Sequence, residues 1–267
     1  MRTILVGDLH LTAQIILPMA EKKLKEFNCE QLILLGDYTD AYNQTENIKL
    51  YMDELAYLLD FKKRLGNNGV EVIMLLGNHD SDYLISSPKI YSLKNPDYFM
   101  KIREQLMKLG LQVSYELGNY LVSHAGYTED YRLEAWHLEK ISKKSIEKVA
   151  WLSNHVGIYR GGKYISGSPL WADFEELTRF PNLDYPKQIV GHTPQKNVNI
   201  VKNSKIEIVG IDTFTVTPLN QKPYYEQLGS GEILLYENNK LERLSLSWRN
   251  EDIIKMIDSK FDRILDN

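Results

Sequence analysis

Five short segments share one form: an apolar run stops, and acids, histidines or an amide follow at once. They read VGDLH (6–10), LLGDYTD (34–40), LLGNHD (75–80), VSHAG (122–126) and VGH (190–192). Pooled, they offer Asp8, His10, Asp37, Asn78, His124 and His192, a set of carboxylate oxygens, imidazole nitrogens and one amide oxygen. That mixture suits Zn, Fe or Mn, whereas calcium takes oxygen alone. Six ligating side chains exceed what one tetrahedral ion needs and match two ions sharing a carboxylate. One such tip would be an ordinary cap or turn. Four of the chain's six histidines lie in these segments, so together they point to a metal site.

The elements that must position these tips follow from periodicity. Apolar runs at 3–7, 31–37, 70–77 and 187–192 read as buried strands, and glycine precedes the first polar residue in four of the five tips. Helical spacing follows the first strand through about Phe27. It returns in Ile48, Tyr51, Leu55, Leu58 and Leu65, where GNNG at 66–69 stops it. Residues 96–109 and most of 128–152 also read as helical, with an irregular glycine-rich segment at 157–169. Residues 111–126 read as two strands around a Leu-Gly-Asn turn, and further strands are expected near 205–211, 232–237 and 240–247. A closing amphipathic helix would place Ile253, Ile257, Phe261 and Ile264 on one side. Early strand–helix alternation implies parallel pairing and the later hairpins antiparallel pairing, hence a mixed α/β sandwich. In open α/β sheets ligands bind beyond the carboxyl ends of the strands, where these tips lie.

The 267 residues suffice for one large α/β domain, and no linker or low-complexity tract divides them. We therefore expect a single domain over 1–267 with a C-terminal strand–helix extension from about 222. Lys+Arg 32 against Asp+Glu 36 gives a net charge of −4, which counts against a nonspecific nucleic-acid binder. The single cysteine, Cys29, excludes an internal disulfide and a cysteine-cluster metal site. With no apolar run near the ~20 residues of a membrane span, a cytoplasmic location without membrane partners is expected. YRGGK at 159–163 lacks P-loop spacing, and GSP at 167–169 is no nucleophile elbow. His137 and His155 lie in mainly helical sequence and read as structural or surface residues.

In this order the five blocks resemble the calcineurin-like metallophosphoesterase superfamily: Asp-x-His, Gly-Asp, Gly-Asn-His-Asp, His and Gly-His. GDYTD, VSHAG and GHTP are most similar to the branch of PPP-type serine/threonine phosphatases and symmetrical diadenosine tetraphosphate hydrolases. SPLWAD (168–173) and IDTF (211–214) are weaker echoes of that branch. The resemblance spans roughly residues 1–215 and implies a four-layer α/β/β/α sandwich of mixed sheets flanked by helices. It further implies that Asp8 and His10 bind one metal, that Asp37 bridges, and that Asn78, His124 and His192 complete a second site. Two metals about 3.5–4 Å apart activate water and clamp the attacking and leaving oxygens of in-line phosphoryl displacement. His79 would protonate the leaving group, with Asp40 orienting its ring; Asp80 is the competing orienting group and would otherwise cap the next helix.

The sequence departs from the phosphatases where they grip phosphate. Ala41 and Tyr42 stand in place of Arg-Gly after the second block, and Leu76 precedes Gly77 where an arginine is usual. Leu11 and Phe214 replace family glycines. Arg160 is the candidate replacement, because its fork suits phosphate oxygens and the following glycines allow close approach. The expected activity is hydrolysis of phosphomonoesters or phosphoanhydrides, on a phosphorylated small molecule or a phosphoprotein. A phosphodiesterase or nuclease using the same metal pair is the alternative, disfavoured by the missing second histidine after Gly-His and by the acidic balance. A scaffold without chemistry is the third reading, and it gives His79 no purpose.

Overall fold

Period-two alternation within the strands builds two cores at once. The computed structural model describes residues 1–262, and Ile264 of the expected last helix lies outside them. The first sheet contains β1 (Arg2–Val6), β2 (Gln31–Leu34), β3 (Glu71–Met74), β11 (Glu232–Glu237) and β12 (Lys240–Ser245), in the order β12-β11-β1-β2-β3. β1, β2 and β3 run parallel, and β11 joins β1 antiparallel with Ile4 opposite Leu235. The second sheet contains β4 (Ser114–Leu117), β5 (Tyr120–Ser123), β6 (Lys187–Val190), β7 (Asn199–Lys202) and β8 (Glu207–Gly210), in the order β4-β5-β6-β8-β7.

Leu5, Ile33, Leu75 and Leu234 of the first sheet meet Val122, Ile189 and Val209 of the second in the core between the sheets. Their neighbours Ile4, Leu32, Met74 and Ile233 point the other way, into a larger core shared with helices. Those helices are α1 (Ala13–Glu26), α2 (Ile48–Asn67), α4 (Pro96–Leu109) and α7 (Glu251–Lys260). On the far face of the second sheet, Phe174 and Leu177 of α6 (Phe174–Arg179) pack on Val190 and Ile208. The fold is the expected sandwich of two mixed sheets flanked by helices. Strands buried on both faces explain why the sequence shows continuous apolar runs instead of alternation.

Three local features go beyond the sequence pattern. The helical sequence within 128–152 is broken into short pieces: single 3₁₀ turns at Ala135–Leu138 and Lys143–Ser145 precede α5 (Ile146–Asn154). Local side-chain bonds compete with helix there, with the Ser142 amide donating to Ser145 Oγ at 2.9 Å and Glu139 extended. A helix α3 (Asn78–Leu84) begins inside the third tip itself, so Asp80 lies in its first turn. Finally, β7 and a small ribbon of β9 (Val216–Pro218) and β10 (Tyr225–Gln227) were not expected. No helix among the described residues is long and apolar enough to cross a membrane.

Candidate metal centre

The three parallel strands of the first sheet and the parallel pair β5–β6 of the second deliver all five tips to one place. Hydrogen bonds stitch the tips together. The His192 amide, just past β6, donates to both Asp8 carboxylate oxygens at 2.9 and 3.2 Å. Beyond β2, the Asp37 carboxylate accepts from the His79 amide at 3.0 Å, and the Asp37 carbonyl accepts from the His10 amide at 2.7 Å. The backbone bends hard to do this. His10, Leu11, Asp37, Asp40 and His192 all adopt left-handed conformations, with φ between 39° and 63°. Such conformations cost side-chain-bearing residues free energy and persist only where the surroundings impose them. Four of these five are residues selected from the sequence for their chemistry.

Glycine makes room for the carboxylates. A Cβ on Gly77 would overlap Asp37 Oδ1, and one on Gly191 would overlap Asp8 Oδ1. Neither has a positive φ, so close approach is what requires glycine here.

Four donors converge on the buried side of the site. His124 Nε2 lies 2.8 Å from Asn78 Oδ1, 3.2 Å from His192 Nδ1 and 3.5 Å from Asp37 Oδ2. His192 Nδ1 lies 3.0 Å from Asn78 Oδ1. On the open side, His10 Nε2 is 3.6 Å from Asp37 Oδ2. Two groups of mutually close ligand atoms result, one of His10, Asp37 and His79, the other of Asp37, His124 and His192. Asp37 belongs to both. Asp8 stands outside both groups, with its carboxylate engaged by the His192 amide and Oδ1 4.0 Å from His124 Nδ1.

Backbone carbonyls set the tautomers of two imidazoles. His10 Nδ1 donates to the Asp40 carbonyl at 2.8 Å and His124 Nδ1 to the Leu35 carbonyl at 2.9 Å. A carbonyl can only accept, so each ring in its neutral form turns an Nε2 lone pair inward, as a metal-binding imidazole requires. Burial drives His124 down to about 3, and it drives His192 well below the usual histidine range, with Arg160 acting in the same direction. Both rings are therefore neutral donors. Asp8 and Asp37 are pushed well above the usual carboxylate range, first by burial. Asp212 and Asp37 add repulsion on Asp8, and Asp80 adds it on Asp37 against the attraction of His79. Buried carboxylates that repel one another beside neutral nitrogen lone pairs fit metal cations, which would supply the missing positive charge.

His79 differs from the other two. Proximity alone would admit it as a ligand, yet its pKa moves upward: burial opposes the charged ring, but Asp37 and Asp40 outweigh it. Asp40 Oδ2 takes His79 Nδ1 at 3.0 Å. Asp80, the competing partner, is spent elsewhere. It accepts from the Tyr38 and Thr39 amides at 2.9 and 3.1 Å, from Thr39 Oγ1 at 3.0 Å and from the Gly77 amide at 3.2 Å.

Arg160 ends a 3₁₀ turn (Ile158–Arg160) closed by Gly161. Its Nη2 donates to the His192 carbonyl at 2.7 Å, and its Nε lies 3.1 Å from His192 Nε2 and 3.4 Å from Asp173 Oδ2. Several residues around the site were not singled out from the sequence. They are Asp173 beside Arg160, buried Asp212 acting on Asp8, and Tyr91, whose ring lies 4.3 Å from that of His79. The echoes SPLWAD and IDTF contained the two acids; nothing in the sequence marked Tyr91. His137 and His155 lie apart from these donors, bonded to Tyr127 and to the Trp151 carbonyl.

A two-sheet sandwich with carboxylate and imidazole donors at its strand tips defines a metal-dependent hydrolase of phosphoesters. The calcineurin-like phosphoesterase model matches residues 1–196, and the chain belongs to that family. A search of curated protein sequences returned no match. Among solved structures, a cold-active protein tyrosine phosphatase shares 20% identity over 91% of this chain and 75% of that chain, with a TM-score of 0.60. The cold-active protein-tyrosine phosphatase of a psychrophilic Shewanella species shares 19% over 92% and 80%, at 0.53. A protein serine/threonine phosphatase from Saccharomyces cerevisiae shares 16% over 92% and 79%, at 0.52. These likenesses are of fold.

Proposed function

We propose that the chain is a phosphatase that hydrolyses phosphomonoesters or phosphoanhydrides with two bound metal ions. Asp8, His10 and Asp37 would hold one ion; Asp37, Asn78, His124 and His192 would hold the other. The observation that carries this reading is the membership of Asp37 in both groups of converging donors. The nitrogen–oxygen donor set suits Mn, Fe or Zn. Bound metals would supply Lewis acidity, lowering the pKa of water and polarising the phosphoryl oxygens.

The chain's own residues do the rest. As water oxygen bonds to phosphorus, one water proton is released to solvent and the ester P–O bond breaks. His79 Nε2 gives its proton to the departing oxygen while Nδ1–H stays on Asp40 Oδ2. The Asp40 carboxylate on Nδ1 supports the acid role, since it orients the ring and leaves Nε2 to carry the transferable proton. Arg160 is held beside the donors by His192 and Asp173, which supports this reading of it as the substrate-binding cation. A phosphorylated small molecule or a phosphoprotein would be the substrate. The segment from about 222 acts in the same domain, a reading supported by the pairing of β11 with β1.

The test is His79→Asn. Its metal content should equal that of wild type while turnover of p-nitrophenyl phosphate with Mn²⁺ falls about 10²–10⁴-fold. Undiminished turnover would overturn the assignment of the acid.

A further inference from the structure

The carboxylate that orients His79 is itself gripped from behind. Asp40 is 1% exposed, and with Oδ2 on His79 its other oxygen needs partners of its own. Two phenols supply them: Tyr51 Oη donates to Asp40 Oδ1 at 2.7 Å and Tyr83 Oη at 2.5 Å. These lengths are those of charge-assisted O–H···O⁻ bonds. Both tyrosines are fully buried, and burial first, then the Asp40 charge, pushes both far above the usual phenol range, so each keeps the proton it donates to Asp40.

The grip reaches three helices. Tyr51 belongs to α2 and Tyr83 to α3. The Tyr83 ring stacks on Phe99 of α4 with centroids 4.4 Å apart, and its phenol oxygen accepts the Leu93 amide at 2.8 Å. Asp40 sits on backbone with φ of 57°, a conformation that does not hold itself. A carboxylate with a free Oδ1 would rotate to find a donor, and Oδ2 would leave His79 Nδ1.

We propose that Tyr51 and Tyr83 are positioning residues of the hydrolytic site, fixing Asp40 so that His79 Nε2 is aimed at the leaving-group oxygen. This rests on the acid role given to His79 above. The bland alternative is that the phenols merely satisfy a buried carboxylate, and leaving-group dependence separates the two. An acid matters most when the departing oxygen is strongly basic, so phenyl phosphate feels a misaimed acid more than p-nitrophenyl phosphate does.

The experiment measures kcat and KM on both esters, with metal content, for wild type, Tyr51→Phe, Tyr83→Phe, the double variant and His79→Asn. Each single tyrosine variant should lose about 10-fold in kcat on phenyl phosphate, the double up to about 100-fold, and all should lose less on p-nitrophenyl phosphate. KM and metal content should hold. If His79→Asn collapses on phenyl phosphate but the tyrosine variants keep wild-type kcat on both esters, the positioning role is wrong and the acid reading stands. If His79→Asn loses nothing on phenyl phosphate, the acid reading falls and the inference with it. Should Tyr83→Phe fail to fold through loss of the Leu93 contact, Tyr51→Phe carries the same comparison.

Discussion

The backbone of Gly77 lies directly against the Asp37 carboxylate, with no space for a methyl group between them. Because φ at Gly77 is −90°, alanine can adopt its backbone conformation. Gly77→Ala is thus a steric probe: its methyl would meet both the carboxylate and the backbone nitrogen of Asp37, so it should displace the Asp37 turn and break the bond to the His79 amide. Metal affinity should fall about 10–100-fold. Isothermal titration with Mn²⁺ or Zn²⁺ measures it, and wild-type affinity would mean that Asp37 is no ligand.

Asp37→Asn asks for the same carboxylate without steric change. If one carboxylate serves two ions, neutralising it should empty both sites, so metal per chain falls from about two towards zero. Elemental analysis of purified protein gives the number. A variant keeping one ion in full would show that Asp37 serves a single site.

Arg160→Lys keeps the charge and loses the fork. A single ammonium cannot reproduce the contacts with the His192 carbonyl and Asp173 while also meeting a phosphate. We expect KM for p-nitrophenyl phosphate to rise roughly 10-fold or more, on the scale of one charged hydrogen bond of about 1.5–3 kcal/mol, with a folded chain at the assay temperature. Steady-state kinetics beside a melting curve separate the two, and an unaltered KM would remove Arg160 from substrate binding.

Glu54 provides a pH signature outside the site. It is fully buried, takes the Gln14 amide at 3.0 Å and lies 3.5 Å from Lys260 Nζ. Burial pushes it from the usual 4.5 up to about 7, despite the Gln14 bond and the Lys260 charge. Between those values the folded chain keeps a proton that the unfolded chain has released. Its contribution is therefore fully present below about 4.5 and is lost as pH rises through about 7, at up to about 1.4 kcal/mol per unit. Urea midpoints at pH 5, 6, 7 and 8 should decline more steeply in wild type than in Glu54→Gln. Parallel slopes would refute the assignment.

What the sequence made legible is what local chemistry dictates. An apolar run ending in glycine and a polar group marks a tip wherever it occurs, and Asp8, His10, Asp37, Asn78, His124 and His192 were selected that way. Asp40 was preferred over Asp80 through family resemblance, and their separate bonding partners now give physical reasons for the difference. Tyr51 was legible only as a helix-face residue, because its phenol meets Asp40 through the packing of α2 on the loop after β2. Tyr83 and Tyr91 depend on the course of α3 and the segment after it, which carries no periodic signal. Residues 128–152 show helical apolar spacing, but the breaks between their short helical pieces were not legible, because they arise from local bonds such as that of the Ser142 amide to Ser145 Oγ.

The order in which the strands fill the first sheet has a consequence for biosynthesis. β1, whose tip carries Asp8 and His10, is flanked by β2 at 31–34 and by β11 at 232–237. At ribosomal speeds of about 5–20 residues per second, one edge of β1 waits roughly 10–50 seconds for its second neighbour. During that interval the nascent chain carries an unpaired apolar ribbon, a target for chaperones and for pairing with other chains. Ribosome-bound chains arrested before residue 232 should therefore be protease-sensitive at β1, and protection acquired earlier would show that another segment shields that edge first.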